Sequence, residues 1–235
     1  MANERRVFLS TLPAGRGERR LALAVVLVSA VIFVTAAPFA KVRLTPVAAF
    51  IPIYESILVV TDLITALLLF GQFSFLRSRA LLVLASGYLF TALITVAHAL
   101  TFPGLFAPTG LLGAGPQSTA WLYMFWHGGF PLFVIAYAML KDGRSGPGWM
   151  RGRPRVVVPA AVVALAAVVG GIALLVTAGR ELLPPVMEGS HYTPAMIFVS
   201  SSVWALSGLA LIVLCVYMGR AWLAVKPRLR RWAWS

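Results

Sequence analysis

Apolar residues fall into six long runs along the chain, and the short segments between them hold nearly all of the charge. The runs lie near Leu21–Ala37, Ala48–Phe70, Ala80–Leu100, Thr119–Leu140, Val156–Ala178 and Ala195–Met218. About 20 helical residues span about 30 Å of hydrocarbon, so each run is long enough or nearly so. The pattern predicts an all-α integral membrane protein, a bundle of about six transmembrane helices. A basic N-terminus (1–20) precedes the membrane domain (21–218), and a basic tail (219–235) follows it. The second and third helices, joined by the short Gln72–Arg79 segment, must be antiparallel neighbours. The first run, with basic residues before it and Ala36–Ala37 at its end, has the outline of a secretory signal. The 17 residues of this run exceed the usual h-region of about 7–15, so it reads as an anchor that stays.

Composition agrees with this picture. The chain has 235 residues, is 60% hydrophobic and only 11% charged, and has a mean hydropathy of +0.89. Soluble domains average about 45–50% apolar and about 25% charged residues. The net charge of +13 does not point to nucleic acid. The basic residues sit between apolar runs and at the ends, where they meet anionic lipid headgroups. Their distribution predicts an orientation. With the N-terminus inside, seventeen of the twenty lie on the cytoplasmic side, leaving Lys41, Arg43 and Arg180 outside. Both termini are therefore expected in the cytoplasm, with the helices in an inner membrane. The lone cysteine, Cys215, lies in an apolar run, and the fold needs no disulfide.

The connections differ in kind. Segment 101–118 carries no charge but has Pro103, Pro108, Pro116 and several apolar residues, so it is expected at the interface or folded back over the helices. The connection around Pro184–Pro185, with Glu181, Glu188 and His191, reads as an ordinary solvated turn. Asp142–Arg155 is a Gly/Pro/Arg-rich linker that would divide the chain into a four-helix and a two-helix part.

Candidate chemistry lies within the spans. A charge at the centre of a transmembrane helix costs about 2.5–3.5 kcal/mol on insertion scales. Glu55 and Asp62 both lie on the second helix, two turns apart, so both face one way, presumed to be into the bundle. His98 lies near the outer end of the third helix and His127 in the outer half of the fourth. Counted from the outer boundary, Glu55 and His127 share one level, His98 is one or two turns nearer the surface, and Asp62 is deeper. Tyr54, Trp121, Tyr123 and Trp126 fall in the same layer, which makes it the expected binding pocket. The bland alternatives are helix–helix hydrogen bonding by the carboxyls, core histidines, and an interfacial aromatic belt. No cofactor is required by the sequence. A metal on His98, His127 and Glu55 has acceptable ligand types, whereas a bis-histidine haem needs two rings at one height, which the depth difference disfavours. Gly128, Gly129 and Pro131 should bend the fourth helix just below His127 and supply a hinge. No phosphate loop, Gly-x-Ser-x-Gly, His-Glu-x-x-His or Cys-x-x-Cys occurs, and an enzyme is not expected.

Three segments resemble a known family. Residues 50–66 (FIPIYESILVVTDLITA), 70–92 (FGQFSFLRSRALLVLASGYLFTA), and the stretch from His98-Ala-Leu-Thr-Phe-Pro-Gly through Ser118-Thr-Ala-Trp-Leu-Tyr to Trp126-His127 resemble the membrane-associated sensor family, type four (the MASE group). The resemblance is strong over 38–141 and looser beyond. It implies a bacterial sensory module of the kind placed before a diguanylate cyclase or histidine-kinase output domain. By that resemblance the chain is shortened at its C-terminus and lacks the output domain. The partners it allows are a second copy of the chain and a separate cytoplasmic signalling protein. Two other functions stay open: a small transporter or channel with Glu55 and Asp62 on its path, and a b-type cytochrome using His98 and His127.

Overall fold

The computed structural model describes residues 15–40, 42, 45, 47, 49–141, 154–189 and 191–232. Six helices are long and apolar enough to cross a membrane. They are α1 (Arg16–Ala36), α2 (Phe50–Leu76), α3 (Arg79–Thr101), α4 (Ser118–Lys141), α5 (Pro154–Thr177) and α6 (Pro194–Trp232). Glu18 accepts from the backbone N–H of Gly15 at the start of α1, a local cap that stabilises the helix entry. Residues up to Val47 form one unit, and those from Ala48 onward form another. Linker residues 142–153 lie outside the described residues.

The second unit is built around α3, which packs against α2, α4 and α5, while α6 packs on α4. The reason is written in α3 itself. Ala80, Ala85, Ser86, Gly87, Ala92, Thr95 and Ala97 are all buried, and small residues on several faces let neighbouring helices approach from several sides. Gly87 and Gly129 mark the closest approach to α4. A Cβ on Gly87 would lie 2.8 Å from that of Phe133, and one on Gly129 would lie 2.5 Å from the Phe90 ring. The other helices turn large apolar side chains outward, such as Leu67 on α2, Val163 on α5 and Phe198 on α6, as a lipid-facing surface requires. The expected division at the 142–155 linker does not hold. Helix α5 packs on α3 and α4, and α6 on α4, and side chains of both, such as Leu165 and Val203, join the core around α3.

Helices α2 and α6 run past the ends that hydropathy gives them. Helix α2 continues through Gly71 and Gln72 to Leu76, since neither residue breaks a helix whose i−4 bonds are already running. It stops where Arg77 adopts a left-handed conformation (φ 53°) and caps onto Phe73. Ser78 then opens α3 by accepting from the Leu81 N–H, so the turn is a tight reversal. The backbone of α6 continues as helix into the basic tail, to Trp232.

At the opposite end of the bundle the two long connections are docked structures. Segment 102–117 folds back on α3: the Leu111 N–H donates to Leu100 (2.7 Å) and the Thr119 hydroxyl to the Thr101 carbonyl (3.0 Å). Gly110, at φ +82°, lies so close to the Thr101 carbonyl that a Cβ there would collide with it. The 178–193 connection is not a solvated turn. It carries a two-strand hairpin, β1 (Met187–Glu188) and β2 (His191–Tyr192), with Val186 fully buried. Gln117 binds it three times, accepting from the N–H groups of Val186 (3.1 Å) and Met187 (2.9 Å) and donating to the Met187 carbonyl (2.7 Å). Hydropathy missed this because backbone-to-amide bonds leave no apolar signature. Glu181, Glu188 and His191 remain exposed.

Candidate functional site

Glu55 and Asp62 both face α3, as their two-turn spacing requires. Helix α3 meets them with groups at the same spacing, Thr91 and His98. Running antiparallel, the two helices pair Glu55 Oε1 with His98 Nδ1 at 2.7 Å, and the Thr91 hydroxyl donates to Asp62 Oδ2 at 2.7 Å. The first pair is the more enclosed, its side chains only 5% and 8% exposed for Glu55 and His98. Asp62 is half-buried. Glu55 Oε2 is buried and has no hydrogen-bond partner.

The relative heights need correction. His98 is not a turn or two nearer the surface than Glu55 but opposite it, because α2 begins at Phe50 rather than Ala48 and α3 ends at Thr101. Helix α4 supplies the rest of the wall. The His98 ring lies 6.4 Å from that of Tyr123, 6.0 Å from Trp126 and 5.8 Å from Phe102, measured between centroids. His127 turns away from the pair in its hydrogen bonding. Its Nδ1–H donates to the Tyr123 carbonyl one turn back (2.9 Å), and its ring stacks on Tyr123 at 3.8 Å. Tyr54 is half-exposed and stacked on Phe50. Trp121 is buried and donates from its indole to the Pro184 carbonyl (3.1 Å), so it anchors a loop.

A three-ligand metal set is not assembled. Glu55 and His98 bind each other, His127 Nδ1 is held by its own helix, and among the described residues no three His, Cys, Asp or Glu side chains gather. The residues expected to form a hinge take part in packing. Helix α4 is unbroken from Ser118 to Lys141 with Pro131 inside it, and Gly129 receives the Phe90 ring. Pro131 lacks an N–H, so the carbonyl of His127 loses its donor within the helix. Gly128 and Gly129 also border a cavity of about 700 Å³. Apolar groups such as Phe90, Phe125, Leu132, Leu165 and Val203 line it, and it offers a ligand little to orient it.

Thr91, Gln117 and Ser118 were not singled out by the sequence. Thr91 could have been, since it precedes His98 by the same interval that separates Glu55 from Asp62. Gln117 and Ser118, whose hydroxyl donates to the Val176 carbonyl at 2.5 Å, gave no such cue.

Apolar helices with lipid-facing surfaces, joined by docked loops and carrying a buried carboxyl–imidazole pair, define a multi-pass integral membrane domain. The chain belongs to the family described as membrane-associated sensor, integral membrane domain (MASE4), whose profile matches residues 45–226. No curated protein and no solved structure matches it.

Proposed function

We propose that the chain is the sensory membrane module of a bacterial signalling system, reading a ligand or a membrane state at the Glu55–His98 pair. A change in that pair's hydrogen bonding repacks α2, α3 and α4, and a signalling output outside residues 1–235 reads the movement. The pair carries the reading: a carboxyl and an imidazole are held in contact inside a membrane domain of a sensor family, with one oxygen left over. Intramembrane ionisable groups are costly to keep unless they serve a function. The seventeen-to-three distribution of basic residues supports inner-membrane placement with both termini cytoplasmic. A transporter is less well supported, because the membrane-spanning parts of α5 and α6 hold no charged residue to continue a path.

The test is a fusion of the full chain to a diguanylate cyclase domain, with cyclic dinucleotide output followed while membrane composition, membrane potential and external pH are varied. The wild-type fusion should respond to one of these. Glu55→Gln should reduce the response about tenfold, since leaving one partner of a buried hydrogen bond unsatisfied costs about 1–3 kcal/mol. A Glu55→Gln fusion that responds like the wild type would sink the proposal.

A further inference from the structure

We propose that the crevice between α2 and α3 beside Glu55 binds a bilayer-dissolved amphiphile, an apolar body bearing one small donor headgroup, either a hydroxyl or an ammonium. The inference rests on the sensory reading of this same pair and names the class of ligand it would take.

The crevice has a volume of about 320 Å³, at the small end of the range of about 300–1,000 Å³ typical of ligand pockets. Its walls are Val59 and Val60 from α2, Val96 and Leu100 from α3, and Leu105 and Phe106 from the folded-back segment. The polar side chains on its lining are Glu55 and Ser56. Glu55 is 95% buried by its side-chain exposure of 5%, and its two oxygens differ. Oε1 is taken by His98, whereas Oε2 has no hydrogen-bond partner. A carboxyl oxygen carries lone pairs whatever its partner, and those of Oε2 meet no donor. A buried acceptor left unpaired is unfavourable, and a donor carried into the crevice on an apolar body would satisfy it after a small shift of the packing that covers Oε2. A pure hydrocarbon would leave Oε2 unpaired, and an anion would meet a carboxyl oxygen. A molecule with several separate polar groups would leave most of them facing valine and leucine. Val60, Val96 and Phe106 are themselves exposed on the lipid-facing surface, so entry is lateral, from the bilayer.

The experiment uses the full chain in phosphatidylcholine nanodiscs with three photoreactive diazirine probes of equal chain length: an octanol, an octylamine and an octane. Peptide mass spectrometry then reads the label. The alcohol, the amine or both should label residues 52–60 and 96–106 at least about tenfold more than the hydrocarbon, as one hydrogen bond to a buried carboxyl implies. Glu55→Leu should abolish that preference. Because it also strips His98 of its partner, Ala99→Phe serves as the second variant. It fills the crevice, leaves the pair intact, and should reduce selective labelling by a similar factor. Equal labelling by all three probes, or undiminished labelling in Ala99→Phe, overturns the proposal. The two readings fail separately. Equal labelling with a lost Glu55→Gln reporter response removes the ligand class and spares the sensory role. Selective labelling with an unchanged Glu55→Gln response does the reverse.

Discussion

Gly129 and Phe90 form a contact that admits almost no other residue. The ring is buried, and a Cβ at 129 would lie 2.5 Å from two of its carbons. Neither partner can retreat, since Phe90 also meets Phe133 at 5.6 Å between ring centroids. Overpacking of this kind costs about 1–3 kcal/mol, so Gly129→Ala should lower unfolding stability in detergent by about that much. Gly170→Ala has open space around it and should stay within about 0.5 kcal/mol of the wild type. Equal effects at the two sites would show that the α3–α4 approach is looser than the geometry implies. At this scale the sequence was partly legible. Glu55, Asp62, His98 and His127 stood out because charge and imidazole are rare in apolar runs. The pairing did not, since it depends on how far α2 and α3 slide past each other. One turn of slip would have joined Glu55 to other residues, and the capped turn at Arg77–Ser78, which helps to set that slip, leaves no mark in the hydropathy.

Helix α4 combines features that pull in opposite directions. Pro131 removes one internal hydrogen bond, and Gly128 and Gly129 give up side-chain packing beside it, yet the helix runs unbroken. Packing against α3 and α6 therefore holds together a segment whose own backbone is weakened. Pro131→Ala restores a donor to the His127 carbonyl. A helical hydrogen bond contributes about 0.5–1.5 kcal/mol net, so amide exchange of residues 127–135 should slow about three- to tenfold. Unchanged exchange would mean that the neighbouring helices already supply all of the segment's rigidity. The six helices themselves were legible from hydropathy, because length and apolarity suffice to declare a span. Their ends were not, because capping depends on single backbone conformations such as that of Arg77, which no periodicity reports. The hairpin at 187–192 escaped for a similar reason: its stability is lent by Gln117 and by the buried Val186 rather than by strand propensity.

Across the whole chain, the distribution of basic residues makes a prediction that geometry alone cannot. If the seventeen-to-three bias sets the orientation as proposed, alkaline phosphatase fused after residue 110 or 189 should be active, and after residue 78 or 145 inactive. The opposite pattern would invert every assignment of inside and outside. The hydrogen bonds of Gln117 and Ser118 carry a further consequence. They tie the start of α4 to the end of α5 and to the hairpin that leads into α6, all at one rim of the bundle. Three helices fastened at one rim cannot slide as independent pistons. They can only splay, like tongs riveted at the tip, so that a displacement too small to notice near the rivet becomes widest at the far ends.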